Sequence, residues 1–147
     1  MDNSKLRDLR DYHNLTQQNI ADILHVKQQT YAEWESGKKV IPLKHLVTLA
    51  VFYEESIDYI LGLTKKKNDV YTYIIDKKEI GKKIVLIRKN NNILQKDLAD
   101  FLNTTPSTIC AYEKGKTLIL TAFLYQICKR YKYSIDFIIG GKKKGLN

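Results

Sequence analysis

The side chains with the clearest chemistry lie in one short stretch of the chain, from Gln28 to Lys44. Glutamine can bond bidentately to the N6 and N7 edge of adenine, and a carboxylate can accept a hydrogen bond from N4 of cytosine. Gln28, Gln29 and Glu33 therefore carry groups that read base edges. Lysines nearby suit contacts to phosphate, which position a protein without reading sequence. These lysines are Lys38, Lys39 and Lys44.

No comparable cluster favours catalysis or metal binding. The three histidines, His13, His25 and His45, are not grouped with an obvious nucleophile, and no Gly-rich phosphate loop, metal signature or Ser–Lys self-cleavage pattern occurs. Cys110 and Cys128 are interpreted as small helical residues, because two thiols without a His/Cys cluster make no zinc site. The sequence therefore predicts a protein that is not an enzyme and uses no metal or cofactor.

Apolar residues at helical spacing and capping residues divide the first part of the chain into five helices. The second helix begins after Thr16, a hydroxyl N-cap. The third runs from about Gln28 to Gly37, a residue suited to a left-handed C-cap. Pro42 suits the first turn of a fourth helix, and Ser56 caps a short fifth helix.

The second and third helices must cross steeply. Ala21 is small and stands in the middle of the second helix, so the third helix can approach closely. The break near His25 is too short for the two helices to form a hairpin. This is the helix-turn-helix arrangement, which leaves the outer face of its second helix free to enter a major groove.

The same plan occurs twice along the chain. Shifted by 78 residues, Lys5–Leu63 aligns with Lys83–Gly141 without a gap, and about a third of the positions are identical. We therefore predict an all-α protein of two tandem five-helix bundles. The expected divisions are a first copy at 1–63, a linker at 64–79, a second copy at 80–141 and a basic tail at 142–147.

The linker and the tail are both rich in lysine. Lys65-Lys66-Lys67 is interpreted as part of a solvated linker, and the tail with Lys142-Lys143-Lys144 is expected to be disordered. The stretch Val70–Ile75 is too apolar for a free linker, so we expect it to pack against another part of the protein.

Positive charge is concentrated in the second half of the chain. The net charge is +9, yet residues 1–63 hold seven Lys/Arg against nine Asp/Glu. Residues 64–147 hold the other 18 Lys/Arg and seven Asp/Glu. Such an excess favours a polyanionic partner, DNA or RNA before an anionic membrane surface. No apolar run approaches transmembrane length, and the polar N-terminus is not a signal peptide, so we expect a cytoplasmic protein.

Three motifs of the first copy resemble the Cro/C1 (XRE, phage-repressor-like) helix-turn-helix family. They are Leu15-Thr16-Gln17 with Ala21 and Leu24, then Glu35-x-Gly37-Lys38, then Ser56-Ile57-Asp58-Tyr59-Ile60-Leu61-Gly62. Together with the repeat, the resemblance covers about 120 residues. It implies five-helix bundles and sequence-specific binding to double-stranded DNA, commonly as a dimer on palindromic operators. We therefore expect a transcriptional regulator, and we expect repression before activation.

The resemblance also assigns residues to roles. Base contacts are expected from Gln28, Gln29, Ala32, Glu33, Ser107, Cys110 and Ala111. Phosphate contacts are expected from Gln17, Lys27, Lys38, Lys39, Lys44, Gln95, Lys96, Thr105, Lys114 and Lys116. Arg10 with Glu35, and Arg88 with Glu113, are expected to form structural ion pairs.

The two copies depart from the family pattern in different ways. His25 and Asn103 replace the usual turn glycine, and both tolerate positive φ better than most residues. Lys27 and Leu94 each replace a hydroxyl helix cap. Because the third helix of the second copy has few directional hydrogen-bonding groups, we expect that copy to hold DNA while the first chooses the sequence.

A protein-interaction role is the alternative. The second copy carries apolar residues, Leu120, Phe123 and Tyr125 among them, where the first has Pro42, His45 and Val47. This surplus is consistent with extra core or with an interface. An antitoxin or anti-regulator would use the second copy to form a homodimer or to bind a partner protein. No small-molecule ligand is evident from the sequence.

Overall fold

The computed structural model describes residues 1–145, which form ten α-helices and one pair of short strands. The prediction of an all-α fold built from two tandem bundles is confirmed. The described chain divides into two compact units. Unit 1 is Met1–Tyr71 with the C-terminal residues from Lys143 onward, and unit 2 is Thr72–Lys142.

Unit 1 contains five helices around one apolar core. They are α1 (Ser4–Tyr12), α2 (Gln17–Leu24), α3 (Gln28–Glu35), α4 (Leu43–Tyr53) and α5 (Ile57–Ile60). Leu6, Ile20, Tyr31, Leu46 and Ile57 are fully buried, so each helix contributes a side chain to the core. Burial of these faces is the main favourable term holding the bundle together.

Local signals set where these helices begin. The Thr16 hydroxyl accepts the Asn19 N–H at 3.0 Å, while the Asn19 side chain accepts the Thr16 N–H at 2.8 Å, a reciprocal capping box. The Ser56 hydroxyl caps α5 by accepting the Tyr59 N–H at 3.0 Å. Pro42 precedes α4 in extended conformation, at the cap and not in the first turn.

Unit 2 repeats the five-helix order. Its helices are α6 (Lys77–Asn90), α7 (Gln95–Leu102), α8 (Pro106–Glu113), α9 (Thr121–Tyr131) and α10 (Ile135–Ile138). α6 begins inside the stretch predicted as linker, because the Asp76 carboxylate caps it by accepting the Lys78 N–H at 2.9 Å.

The added N-terminal turn of α6 packs against the end of α8. A Cβ atom built on Gly81 would lie 2.4 Å from the Tyr112 carbonyl oxygen and 2.7 Å from that of Glu113. Only glycine permits this approach of one backbone to another.

The prediction of a disordered tail is wrong for residues 142–144. β1 (Tyr71–Thr72) and β2 (Lys142–Lys143) pair as a two-stranded sheet. The Lys144 N–H also donates to the Val70 carbonyl at 2.7 Å. Backbone hydrogen bonds therefore hold this part of the tail. Residues 146 and 147 lie outside the described residues.

The stretch Val70–Ile75 packs only in part. Ile74 is 85% exposed, so the expected packing of the stretch does not include this side chain. Tyr73 is half-buried, and its hydroxyl donates to the Asp136 carboxylate in unit 2. The alternation of half-buried and exposed side chains follows from extended backbone, whose successive side chains point to opposite faces.

The apolar surplus of unit 2 is divided between the interior and the surface. The Phe123 ring packs edge-on against Tyr112, with ring centroids 6.4 Å apart. Leu120 and Leu86 are exposed instead, at 58% and 47%. Among the described helices, none has the length and apolar character needed to cross a membrane.

Candidate nucleic-acid interface

A tight left-handed turn joins α2 to α3 in unit 1. His25 has φ 56° and ψ 43°, and the Val26 N–H donates to the Ala21 carbonyl at 2.9 Å. Ala21 is fully buried, so nothing separates the two helices at their crossing. Backbone hydrogen bonds close the C-terminal ends of α2 and α3. At the N-terminal end of α3, Lys27 supplies no side-chain cap.

α3 turns Tyr31 and Trp34 into the core and leaves the opposite side outward. Of the four residues expected on that exposed side, only Gln29 is fully exposed. Gln28, Ala32 and Glu33 are half-buried. Gln29 is thus exposed and the other three residues are exposed in part, while base contact by all four stays a prediction.

The two glutamines Gln28 and Gln17 pair with each other. The Gln28 amide nitrogen donates to the Gln17 Oε1 atom at 2.7 Å, joining the start of α3 to the start of α2. One donor of Gln28 is used in this bond, and its carbonyl oxygen and second N–H keep their capacity for a base edge. Gln17 therefore fixes the direction in which Gln28 presents its amide.

Glu33 is paired with a lysine beyond the helix. The Lys39 Nζ atom lies 3.0 Å from the Glu33 carboxylate, and the Lys39 N–H donates to the Glu33 carbonyl at 3.1 Å. The hydrogen bond from Lys39 lowers the pKa of Glu33. Two residues with separate expected roles, one on bases and one on phosphate, are therefore in contact with each other.

An ion pair ties α1 to the end of α3. Arg10 donates to Glu35 through Nε at 2.9 Å and through a terminal nitrogen at 2.7 Å, and to the Leu15 carbonyl at 2.9 Å. The hydrogen bond with Glu35 raises the pKa of Arg10. Burial alone would raise the pKa of Glu35, but hydrogen bonds, first the one from Arg10, outweigh it and lower that pKa.

Unit 2 builds the same crossing with different capping. Asn103 occupies the left-handed turn at φ 56°, and the Thr104 N–H donates to the Ala99 carbonyl at 2.9 Å. The Thr105 hydroxyl caps α8 by accepting the Thr108 N–H at 3.2 Å, and Pro106 occupies the first turn. The hydroxyl expected to contact phosphate is thus engaged in the cap.

The outward side of α8 has little polar chemistry. Ser107 is exposed, while Cys110 and Ala111 are half-buried. Pro106 stands where Gln28 stands in unit 1, so no second glutamine is available to pair with Gln95.

The Gln95 amide donates instead to the Glu113 carboxylate at 2.9 Å. The same carboxylate accepts from Arg88 Nε at 2.7 Å and from a terminal nitrogen at 3.1 Å.

Both units match known protein families. A family model described as Helix-turn-helix matches residues 6–60, and one described as Helix-turn-helix domain matches residues 81–143. The chain is a tandem helix-turn-helix protein. The helix-turn-helix of each domain is the crossing of α2 with α3, or of α7 with α8.

Curated helix-turn-helix proteins are similar over one domain length. A 60-residue stretch is 43% identical to the uncharacterized HTH-type transcriptional regulator YobD of Bacillus subtilis (strain 168), covering 41% of this chain and 54% of that protein. The HTH-type transcriptional activator BcrR of Enterococcus faecalis is 37% identical over 60 residues, covering 41% and 29%. The HTH-type transcriptional regulator AnsR of Bacillus subtilis (strain 168) is 36% identical over 67 residues, covering 46% and 58%.

The chain spans between 29% and 58% of the length of these curated relatives. No solved structure matches the chain at a significant level.

All seven lysines expected to contact phosphate are on the surface of the helix-turn-helix domains. They are Lys27, Lys38, Lys39, Lys44, Lys96, Lys114 and Lys116. Gln17 and Gln95, expected in the same role, are half-buried and bonded to Gln28 and Glu113. The lysines and the two glutamines therefore differ in how freely they can move to a ligand.

Two side-chain pairs of the first helix-turn-helix domain escaped sequence reasoning. Gln17 and Gln28 are 11 residues apart, a spacing that belongs to no single helix. Glu33 lies in α3 and Lys39 lies beyond its end at Glu35, and a carboxylate followed six residues later by lysine was the available signal.

Proposed function

We propose that the protein is a sequence-specific, double-stranded-DNA-binding regulator of transcription. Residues 1–63 and 80–141 act as its two DNA-binding domains, with α3 and α8 in the major groove. The observation that carries the proposal is the outward side of α3, where exposed Gln29 lies beside a Gln28 held by Gln17. Amide groups on a protruding helix have the geometry for bidentate bonds to adenine.

The experiment is a selection of bound duplexes from a random pool, followed by gel shifts at several salt concentrations. The expected result is an enriched sequence whose binding is lost in the Gln28→Ala/Gln29→Ala variant, while binding to unrelated duplexes is kept. Equal loss on all duplexes would contradict base reading by α3. The absence of any duplex binding would contradict the function itself.

Repression is the mode we propose, by occupation of promoter DNA. A transcriptional fusion carrying the selected sequence distinguishes the two modes. Reporter output should fall when the protein is expressed, and a rise would show activation, the mode named for the Enterococcus relative.

In this proposal the first domain selects the DNA sequence and the second domain contributes affinity for the phosphate backbone. In unit 2 the Gln95 amide is bonded to Glu113, and the exposed residues of α8 are Pro106 and Ser107. The electrostatic contribution of lysine contacts needs no such directional groups. Transfer of Gln28–Glu33 into α8 should therefore alter the selected sequence, and transfer of the α8 residues into α3 should abolish selection.

A homodimer through unit 2 is the second candidate. Leu120 is 58% exposed and Phe137 is 50% exposed, more apolar surface than the bundle needs. Sedimentation of the full chain at several concentrations, compared with a Leu120→Gln/Phe137→Gln variant, tests this. A dimer that dissociates in the variant supports the candidate, and a monomer at all concentrations overturns it.

A further inference from the structure

Two pairs of neighbouring lysines, from distant parts of the sequence, lie in unit 1, and one lysine of each pair binds the same carboxylate. They are Lys65, Lys66, Lys143 and Lys144, named here the linker–tail lysine cluster. The Asp69 carboxylate accepts Lys143 at 2.9 Å and Lys66 at 3.5 Å. The hydrogen bond from Lys143 lowers the pKa of Asp69.

The backbone on both sides of the cluster is fastened. The Asn68 N–H donates to the carboxylate of buried Glu55. The Lys144 N–H donates to the Val70 carbonyl at 2.7 Å. The lysines are therefore held at a defined place instead of diffusing with free chain ends.

The side chains themselves face solvent. Lys66 is 66% exposed, and Lys65 and Lys144 are exposed as well. Only Lys143 is partly covered, at 31%. Folding brings the Lys66 and Lys143 ammonium groups to one carboxylate. Like charges therefore lie close together, at a cost that a bound polyanion would offset.

Lys67 is not counted in the cluster. It lines a cleft of unit 1 together with Lys5 and the carboxyl side chains of Asp8, Glu54 and Glu55. Its surroundings are acidic, and Lys5 in the same cleft lies over the Tyr59 ring at 5.4 Å. These two lysines supply a matched control in the same unit.

We propose that the linker–tail lysine cluster is a second DNA-binding surface that contacts phosphates of the duplex backbone apart from the two helix-turn-helix elements. This inference rests on the proposed function, which makes duplex DNA the polyanion. Lysine contacts to phosphate carry no sequence information, so the cluster adds affinity for every sequence alike.

The test compares two variants of the full chain that lose the same charge. The cluster variant is Lys65→Gln/Lys144→Gln, which keeps both lysines bound to Asp69, and the control is Lys5→Gln/Lys67→Gln. Binding to the selected duplex and to an unrelated duplex is measured from 50 to 200 mM salt. Each lost phosphate contact should lower the slope of log affinity against log salt by about 0.9.

The cluster variant should lose up to about 1.8 from that slope, equivalent to about tenfold in affinity across this salt range, on both duplexes. The preference between duplexes should be unchanged, the control should keep the wild-type slope, and Lys65→Arg/Lys144→Arg should restore it. Circular dichroism of each variant checks that the helices are intact.

Three results would overturn the inference. The control could lose as much as the cluster variant, which would assign the effect to net charge. The cluster variant could bind duplexes as the wild type does. It could lose binding to vesicles of phosphatidylserine and phosphatidylcholine and not to DNA, which would assign the cluster to a membrane surface. A wild-type chain that binds no duplex would refute the proposed function as well, so the two failures are distinct.

Discussion

Removing one partner of the Arg10–Glu35 pair should unfold or nearly unfold unit 1. In Arg10→Met the Glu35 carboxylate, whose side chain is 6% exposed, loses two charged hydrogen bonds, and the Leu15 carbonyl loses a third. A buried charge left without its partner costs about 3–5 kcal/mol. A unit of roughly 70 residues is stable by only about 4–10 kcal/mol.

The measurement can be confined to unit 1 because the chain has one tryptophan. Trp34 lies on α3 and is 6% exposed, so its fluorescence reports the unfolding of unit 1 by urea. Arg10→Met should lower the unfolding free energy followed in this way by about 3 kcal/mol or more. Arg88→Met, the matched change in unit 2, should leave the Trp34 transition unchanged.

The stability lost in Arg10→Met should depend on pH. The pKa of Glu35 is lowered in the folded protein, so the stabilisation from its ionised form is complete above the unfolded pKa and is lost as pH falls through the folded pKa. Arg10→Met removes the hydrogen bond that does most to lower the pKa of Glu35, so this pKa is higher in the variant than in the wild type. The difference in stability between wild type and variant should therefore shrink on acidification from pH 7 to about pH 4.

A double variant separates charge from packing. Arg10→Met/Glu35→Leu removes the uncompensated carboxylate and should recover most of the stability lost in the single variant. The reasoning is refuted if the single variant costs less than about 1 kcal/mol, or if the double variant is no more stable than the single one.

Gln29→Ala should weaken binding to the selected duplex by about 1–3 kcal/mol and leave the salt slope unchanged, as gel shifts across salt concentrations can show. Lys38→Gln should weaken binding to every duplex and lower the slope by about 0.9. Lys39→Gln should have a smaller effect in the same assay, because Glu33 already neutralises that ammonium group. Gly81→Ala should destabilise unit 2 by about 1–3 kcal/mol, since its methyl group would meet backbone oxygen at 2.4 Å. The thermal transition followed by circular dichroism should then shift, with the Trp34 signal unaltered.

Helix positions and the repeat could be predicted because they depend on local signals. Thr16 and Ser56 cap helices as their types and spacing indicate. His25 and Asn103 adopt the left-handed turn that their tolerance of positive φ suggested. Helix caps and left-handed turns depend on a few neighbouring residues, so a single sequence is enough to predict them.

The partners of the polar side chains could not be predicted in the same way. Gln95 is bonded to Glu113, a residue 18 positions away on another helix that tertiary packing brings close. The fastening of Lys144 to Val70 likewise depends on chain segments that are far apart in sequence. The lysine runs of the linker and the tail therefore indicated only solvated segments, because composition does not show which segments contact each other.

The proline that begins α8 limits how the duplicated halves can change over time. Thr105 and Pro106 stabilise the start of this helix, so restoring an amide at position 106 would sacrifice a favourable helix start before any base contact was gained. Substitutions in α3 face no such barrier, because Lys27 offers no cap to lose. New operator preferences are therefore expected to evolve in the first copy, while the start of α8 in the second copy is expected to change less.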